Sequence, residues 1–179
     1  MKRKNLMVVT LTDFEPEIGR WIWCLEDVRR TILERISGLS QSDLDTKLNG
    51  GHSIGSLLYH IALIEADWFY EEVLDGEWNP KIRCLFPQED RNIDDTLTNI
   101  EGQDLDEHLH RLKSVRDELL THFRSMDLQD WRKPRSLTHY DVTPEWVIYH
   151  LIEHESHHRG QIFQMLSILK NKRSLGVLE

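Results

Sequence analysis

Histidines recur every four residues along His150-Leu-Ile-Glu-His154-Glu155-Ser-His157-His158, and that spacing constrains the fold more than any other feature of the chain. At about 100° per residue of an α-helix, His150, His154 and His158 fall in one row, with His157 and Gln161 beside it. Two imidazoles at i and i+4 point the same way and can share one metal ion, at Zn–N distances of about 2.0–2.1 Å. A tetrahedral site needs more than two protein ligands, so the row calls for a second helix facing this one with an inward histidine of its own. The alternative is a set of polar surface or capping histidines. Against it stands the apolar row Val147, Leu151, Ile162, Met165 and Leu169, which His158 continues. A half-buried imidazole needs partners for its ring nitrogens, and a metal is one.

The rest of the chain supplies the facing helix. Between Glu15 and Ile36 the apolar residues Ile18, Ile22, Leu25, Val28, Ile32 and Ile36 step by three or four, the pattern of an amphipathic helix. Trp21 and Trp23 add bulk to it. Gly38 and Leu39 end it, and Ser40 with Asp43 predicts a short capped turn. Asn49-Gly50-Gly51 breaks the chain, and Ser53 is placed to cap a second helix through Ile54, Leu57, Leu58, Ile61, Ile64 and Trp68, ending near Asp75-Gly76. His60 shares the inward side of that helix with Leu57 and Ile64, and Asp67 lies in its row. His60 therefore fits the missing ligand; the bland alternative is a core histidine bonded to a carbonyl.

A long connection from Trp78 to Gly102 holds Pro80, Pro87 and the acidic pair Glu89-Asp90. A connection of this length crosses a bundle or contributes to a site. Thr96 to Ile100 reads as a helical turn within it. A third helix, Asp104 to Ser125, carries Leu105, Leu109, Leu112, Leu119 and Phe123, with His108, His110 and His122 read as edge or solvent residues and not as ligands. Met126 to Val142 has little helical periodicity, and Leu137 to Val142 alternates as a short extended segment would. Thr143-Pro144 marks the start of a fourth helix running to about Lys170, whose Lys170, Lys172 and Arg173 suit the helix dipole. The fold class is thus all-α: a four-helix bundle over residues 1–179 as a single domain, with a long crossing connection between the second and third long helices.

The chain has 179 residues, 39% hydrophobic and 30% charged, a profile with enough apolar surface for a core. Lys and Arg total 22 against 31 Asp and Glu, a net charge of −9 that disfavours nucleic acid as the partner. Cys24 and Cys84 have no metal-type spacing and read as free, partly buried thiols of a reducing compartment. The start, Met1-Lys-Arg-Lys, precedes only a short apolar run and then Asp13, Glu15 and Glu17, which reads as a mature cytoplasmic N-terminus. No window approaches the ~20 apolar residues of a membrane span.

His60 in Leu-Leu-Tyr-His-Ile, followed by His154-Glu-Ser-His-His158-Arg159-Gly160-Gln161-Ile162, resembles the DinB-like superfamily of metalloenzymes over nearly the whole chain, most specifically where the histidine pair runs into His-Arg-Gly-Gln. The resemblance implies a four-helix bundle, often a homodimer, holding one divalent ion, zinc or nickel, on three histidines. Carried over, these are His60, His154 and His158. Some members transfer low-molecular-weight thiols such as bacillithiol or mycothiol to small electrophiles, or isomerise maleylpyruvate with a thiol cofactor. The resemblance does not imply a DNA polymerase.

Three histidines and an open position suit a catalytic metal that lowers the pKa of a bound water or thiol. The expected function is thiol transfer to a small-molecule electrophile. Gln161 is read as orienting a ligand histidine, Arg159 as pairing with acidic residues, and Gly160 as letting another helix approach. The same stretch spells His-Glu-x-x-His, from His154 to His158, the zincin protease pattern with Glu155 as the catalytic general base. Gln161 stands where the longer protease motif has glycine, and Glu179 is a poor further ligand, but a metal-dependent hydrolase remains an alternative. A non-catalytic metal- or ligand-binding bundle is the third reading.

Overall fold

The computed structural model describes residues 6–48 and 51–175. Asn49 and Gly50 of the expected breaker, the basic start Met1-Lys-Arg-Lys and Glu179 lie outside the described residues. Four long helices make up most of the structure: α1, Pro16–Ile36; α3, Ile54–Trp68; α5, Leu105–Arg124; and α7, Pro144–Ser174. Short helices α2 (Gln41–Asp45), α4 (Pro80–Arg83) and α6 (Leu128–Trp131) lie in the connections. The all-α expectation holds, with one small addition. Strands β1 (Arg135–Ser136) and β2 (Asp141–Val142) pair antiparallel, Arg135 opposite Val142 and Ser136 opposite Asp141.

The helix ends follow local chemistry. Pro16 opens α1, where a missing N–H costs nothing. Ser40 and Asp43 form a reciprocal capping box at α2, as do Asp104 and Glu107 at α5. Ser53 accepts from the Ser56 N–H at α3, and Thr143 from the Trp146 N–H at α7. After Trp68, α3 widens into a π-helical turn, Phe69–Val73. Such turns occur most often near functional sites. The fourth helix runs past Lys170 to Ser174, because no glycine or proline interrupts it there.

The apolar rows read from the sequence are the core. Ile18, Ile22, Leu25, Ile32 and Ile36 of α1 meet Val147, Ile148, Leu151, Ile162 and Leu169 of α7 in one buried cluster. The central helix is α3, packed on both α5 and α7 and buried at nearly every position from Ile54 to Ala66. Two expectations in the connections are corrected. Thr96 to Ile100 is not helical: Arg91 bridges Leu97, and Asp94 accepts from both the Thr96 N–H and hydroxyl, with Asp95 at φ 64°. Such a side-chain-to-backbone turn competes with helix. Within 126–142, Asp127 caps the short α6 before the β1–β2 hairpin.

At the middle of the bundle each long helix contributes one charged side chain to a buried quartet: Arg29 of α1, Glu65 of α3, Arg116 of α5 and Glu155 of α7. Arg29 donates to Glu155 at 2.5 Å and to Glu65 at 2.7 Å, and Arg116 donates to Glu65 at 2.7 and 2.8 Å and to Glu155 at 2.9 Å. Burial alone would raise the Glu65 carboxyl, but the Arg116 and Arg29 guanidiniums hold it below its ordinary value. Among the described residues, no helix is long and apolar enough to cross a membrane.

Candidate metal centre

One helical row and one facing residue build the centre. His154 and His158 stand one turn apart on α7, and His60 comes from α3, which packs directly against α7. The Nε2 atom of His154 lies 3.0 Å from Nε2 of His60 and 3.1 Å from Nε2 of His158. One ligand atom from each of the three residues lies within 4.8 Å of the others, and no other such cluster occurs among the described residues. His60 is buried, while His154 and His158 are half-buried.

The outer faces of two rings fix which nitrogen points inward. The Nδ1 of His60 meets the Asp90 carboxylate at 2.5 Å, and Nδ1 of His158 meets Oε1 of Gln161 at 2.7 Å. A carboxylate and a carbonyl oxygen accept, so each Nδ1 carries the hydrogen and donates. Each Nε2 is then a bare lone pair. His154 can donate its Nε2–H to one neighbour at most, which leaves the other lone pair facing it unsatisfied. A cation among the three nitrogens satisfies all of them at once. Protonation is a poor substitute. Burial, followed by the neighbouring His158 and His60, pushes His154 down to about 2, and burial pushes His158 down to about 4. The donor set therefore fits a divalent ion bound by neutral imidazoles, with His60 and His158 steadied from behind.

Asp90 belongs to the site although its position in the chain did not announce it. It comes from the long connection after α4, so that connection completes the centre and does more than cross the bundle. The acidic pair Glu89-Asp90 was the available signal, but nothing in the sequence said which carboxylate would face His60. Asp67, seven residues after His60, is half-buried and outside the histidine cluster. Burial, then the Glu71, Glu72 and Asp90 carboxylates, raise it to about 7.

Several site expectations change. Glu155 follows His154 directly, yet about 100° of helix turn sends it to the charged quartet. Both its oxygens accept from Arg29 and Arg116, and its side chain is 2% exposed. So placed, it is not the free general base that the protease-like spelling suggested. Among the described residues Arg159 pairs with no acid; it donates to the hydroxyls of Thr31 and Ser156. A Cβ on Gly160 would meet nothing within 4 Å among the described residues, so no described helix packs closely against it. His108 is not at an edge but 1% exposed, packed against Gly55, where a Cβ would come within 3.1 Å of its Nε2. His110 and His157 are exposed and His122 is half-buried. Cys24 is half-buried, Cys84 is exposed, and both are free thiols.

Beyond the centre, the α7 row continues toward the helix start as aromatic rings. His150 stacks on Trp146, with centroids 5.1 Å apart and planes at 5°, and lies 4.4 Å from Trp68 of α3. Its ring is 6.1 Å from that of His154.

Three comparisons with known proteins bear on this arrangement. Residues 25–162 match the family model described as the DinB superfamily. A solved structure, described as the crystal structure of the conserved protein of locus from Enterococcus faecalis, is similar with a TM-score of 0.70 at 11% identity, over 85% of this chain and 96% of that one. At that identity the likeness concerns the fold alone. No curated protein matches the chain.

Proposed function

Since the chain belongs to the DinB superfamily, we propose that its three histidines hold one divalent ion, zinc or nickel, and that the centre serves transfer of a low-molecular-weight thiol to a small electrophile. The observation that carries the reading is the convergence of three Nε2 atoms whose outer partners, Asp90 and Gln161, turn the lone pairs inward. With three protein donors, a four-coordinate ion held by His60, His154 and His158 would keep one position for an exchangeable ligand, as in a catalytic rather than a structural site. A divalent ion there supplies positive charge that lowers a thiol's pKa, so that thiolate is available near neutral pH. The thiol proton leaves to solvent. The sulfur forms a C–S bond as the electrophile's leaving group departs with its electron pair. The chain's own part is to hold three imidazoles neutral and oriented, and to place the electrophile beside them.

The hydrolase reading loses its named base, because Glu155 is engaged by two guanidiniums. A purely structural metal is distinguished by experiment. Metal content per chain is measured by mass spectrometry on dialysed protein, and cobalt-substituted protein is then titrated with a small thiol. About one ion per chain and a new sulfur-to-cobalt charge-transfer band are expected. One tightly held ion whose spectrum ignores thiol would reduce the centre to a structural site, and no retained metal after reconstitution with zinc, nickel and iron would remove it altogether.

A further inference from the structure

Close to the histidine centre, a cavity of about 480 Å³ opens between the start of α7 and the β1–β2 hairpin, lined by Trp68, Tyr140, Asp141, Val142, Thr143 and Trp146. Three of its walls are aromatic. Trp68 stands 5.3 Å from Trp146 and 6.4 Å from Tyr140, centroid to centroid. Aromatic faces carry negative quadrupole charge and attract cations. The ionisable groups around those walls have the same sign. Asp141 lies in the lining, and the Tyr140 hydroxyl donates to Oε1 of Glu72 at 2.7 Å. Glu72 is itself 7% exposed, and its other oxygen, Oε2, has no hydrogen-bond partner among the described residues. A buried carboxylate oxygen left unpaired is costly and calls for a donor. Arginine does not supply one from the hairpin: Arg135, opposite Val142, is held by both oxygens of Asp130 at 3.0 Å.

We propose that this cavity is a binding site for an organic ammonium ion, the positively charged, apolar end of the substrate whose reacting end lies at the histidines. Two observations carry it: aromatic walls with one carboxylate, Asp141, and no lysine or arginine in the lining, and a buried acid, Glu72, held against the hydroxyl of the wall residue Tyr140 with an unused acceptor. Between the two ends lies His150, stacked on Trp146 with centroids 5.1 Å apart and 6.1 Å from the ring of His154. As a substrate subsite the cavity rests on the transferase reading; as a cation site it does not. It selects against anionic substrates, since a carboxylate or phosphate would meet Asp141 with no lysine or arginine in the lining.

The test is isothermal titration of the metal-loaded full-length chain with benzylammonium, with benzyl alcohol as its neutral counterpart and with benzoate as its anionic one. Benzylammonium should bind about tenfold more tightly than benzyl alcohol, with benzoate weakest. Glu72→Gln should abolish most of that preference, and Trp146→Leu, at a position 44% exposed, should weaken benzylammonium more than benzyl alcohol. Equal affinities, no binding of benzylammonium, or a preference untouched by both substitutions would overturn the proposal. Repeating the titration on His154→Ala separates the two readings. The ammonium site lacks that residue and should survive there, whereas failure of the metal reading appears as missing metal in the unsubstituted protein.

Discussion

Two polar clusters are buried in this bundle, and consecutive residues of α7 feed them: His154 enters the histidine centre and Glu155 the charged quartet. The quartet is closed. It has two guanidiniums and two carboxylates, one from each long helix, and every carboxylate oxygen accepts at least one hydrogen bond. The histidine centre is the reverse. Its three imidazoles come from two helices and present ring nitrogens to one another. Desolvated charges persist only when paired, so a closed set fixes which helix faces which; it has nothing left over for a ligand. Unpaired lone pairs held in place from behind have their ligand still to come. The difference marks one cluster as architecture and the other as a candidate metal site.

The largest effect should come from opening the quartet. Arg116→Ala or Glu155→Ala leaves buried charge unpaired and should cost about 3–5 kcal/mol in chemical unfolding. The folded fraction should nonetheless keep its metal. Glu155→Gln, which retains shape and an acceptor, should cost less. If Glu155→Gln empties the metal centre as His154→Ala does, the two clusters are one, and the comparison fails.

His154→Ala should do the opposite. Metal content should fall to background, along with that of His60→Ala and His158→Ala, while the unfolding free energies of the metal-free proteins in urea stay within about 1 kcal/mol of one another. Removing His154 also removes the facing lone pairs, so no large penalty is expected in the absence of metal. A fully loaded His60→Ala or His158→Ala protein would sink that ligand assignment. Next in size is Asp90→Asn, which keeps the contact to His60 but weakens the acceptor. A loss of about 10–100-fold in metal affinity is expected, measured by chelator competition, because outer partners set ligand basicity and orientation. An unchanged affinity would make Asp90 a surface acid that happens to touch His60.

How far the sequence revealed this difference depends on the kind of signal each residue carried. The apolar steps of α1, α5 and α7 were plain, because a helix half buried on one face repeats every three or four residues. The histidine row was plain for the same reason. Glu155 was misread because its neighbours spell a protease motif, and only the helix rotation, with Arg29 and Arg116 arriving from α1 and α5, decides which way it points. Those arginines sit 87 positions apart in a chain rich in charge, and nothing local separates a buried Arg116 from an exposed Arg124. Asp90 was hidden by its loop. His108 was hidden by Gly55, whose missing Cβ on another helix makes room for the ring.

His108 offers the smallest and sharpest check, since it is a buried polar group that belongs to neither cluster. Its Nδ1 faces Arg111 at 3.3 Å and its Nε2 has no partner among the described residues. Burial, followed by the Arg111 charge, lowers it to about 4. The sign follows from linkage: a histidine whose folded pKa lies below its unfolded value of about 6.5 takes up its proton first in the unfolded chain. Its contribution to stability is therefore complete above pH ~6.5 and is lost as pH falls from there toward ~4. Between pH ~7 and ~5.5 the loss should be about 1 kcal/mol. His108→Gln should remove that part of the pH dependence, read as the difference between the two proteins' urea midpoints at the two pH values, so that titration of the metal-site histidines cancels. Parallel pH profiles would mean that the ring takes up its proton in the folded protein as readily as in the unfolded chain. Below pH ~6.5 a buried cation would then sit beside Arg111, and the separation of the charged quartet from the histidine centre would need a third member.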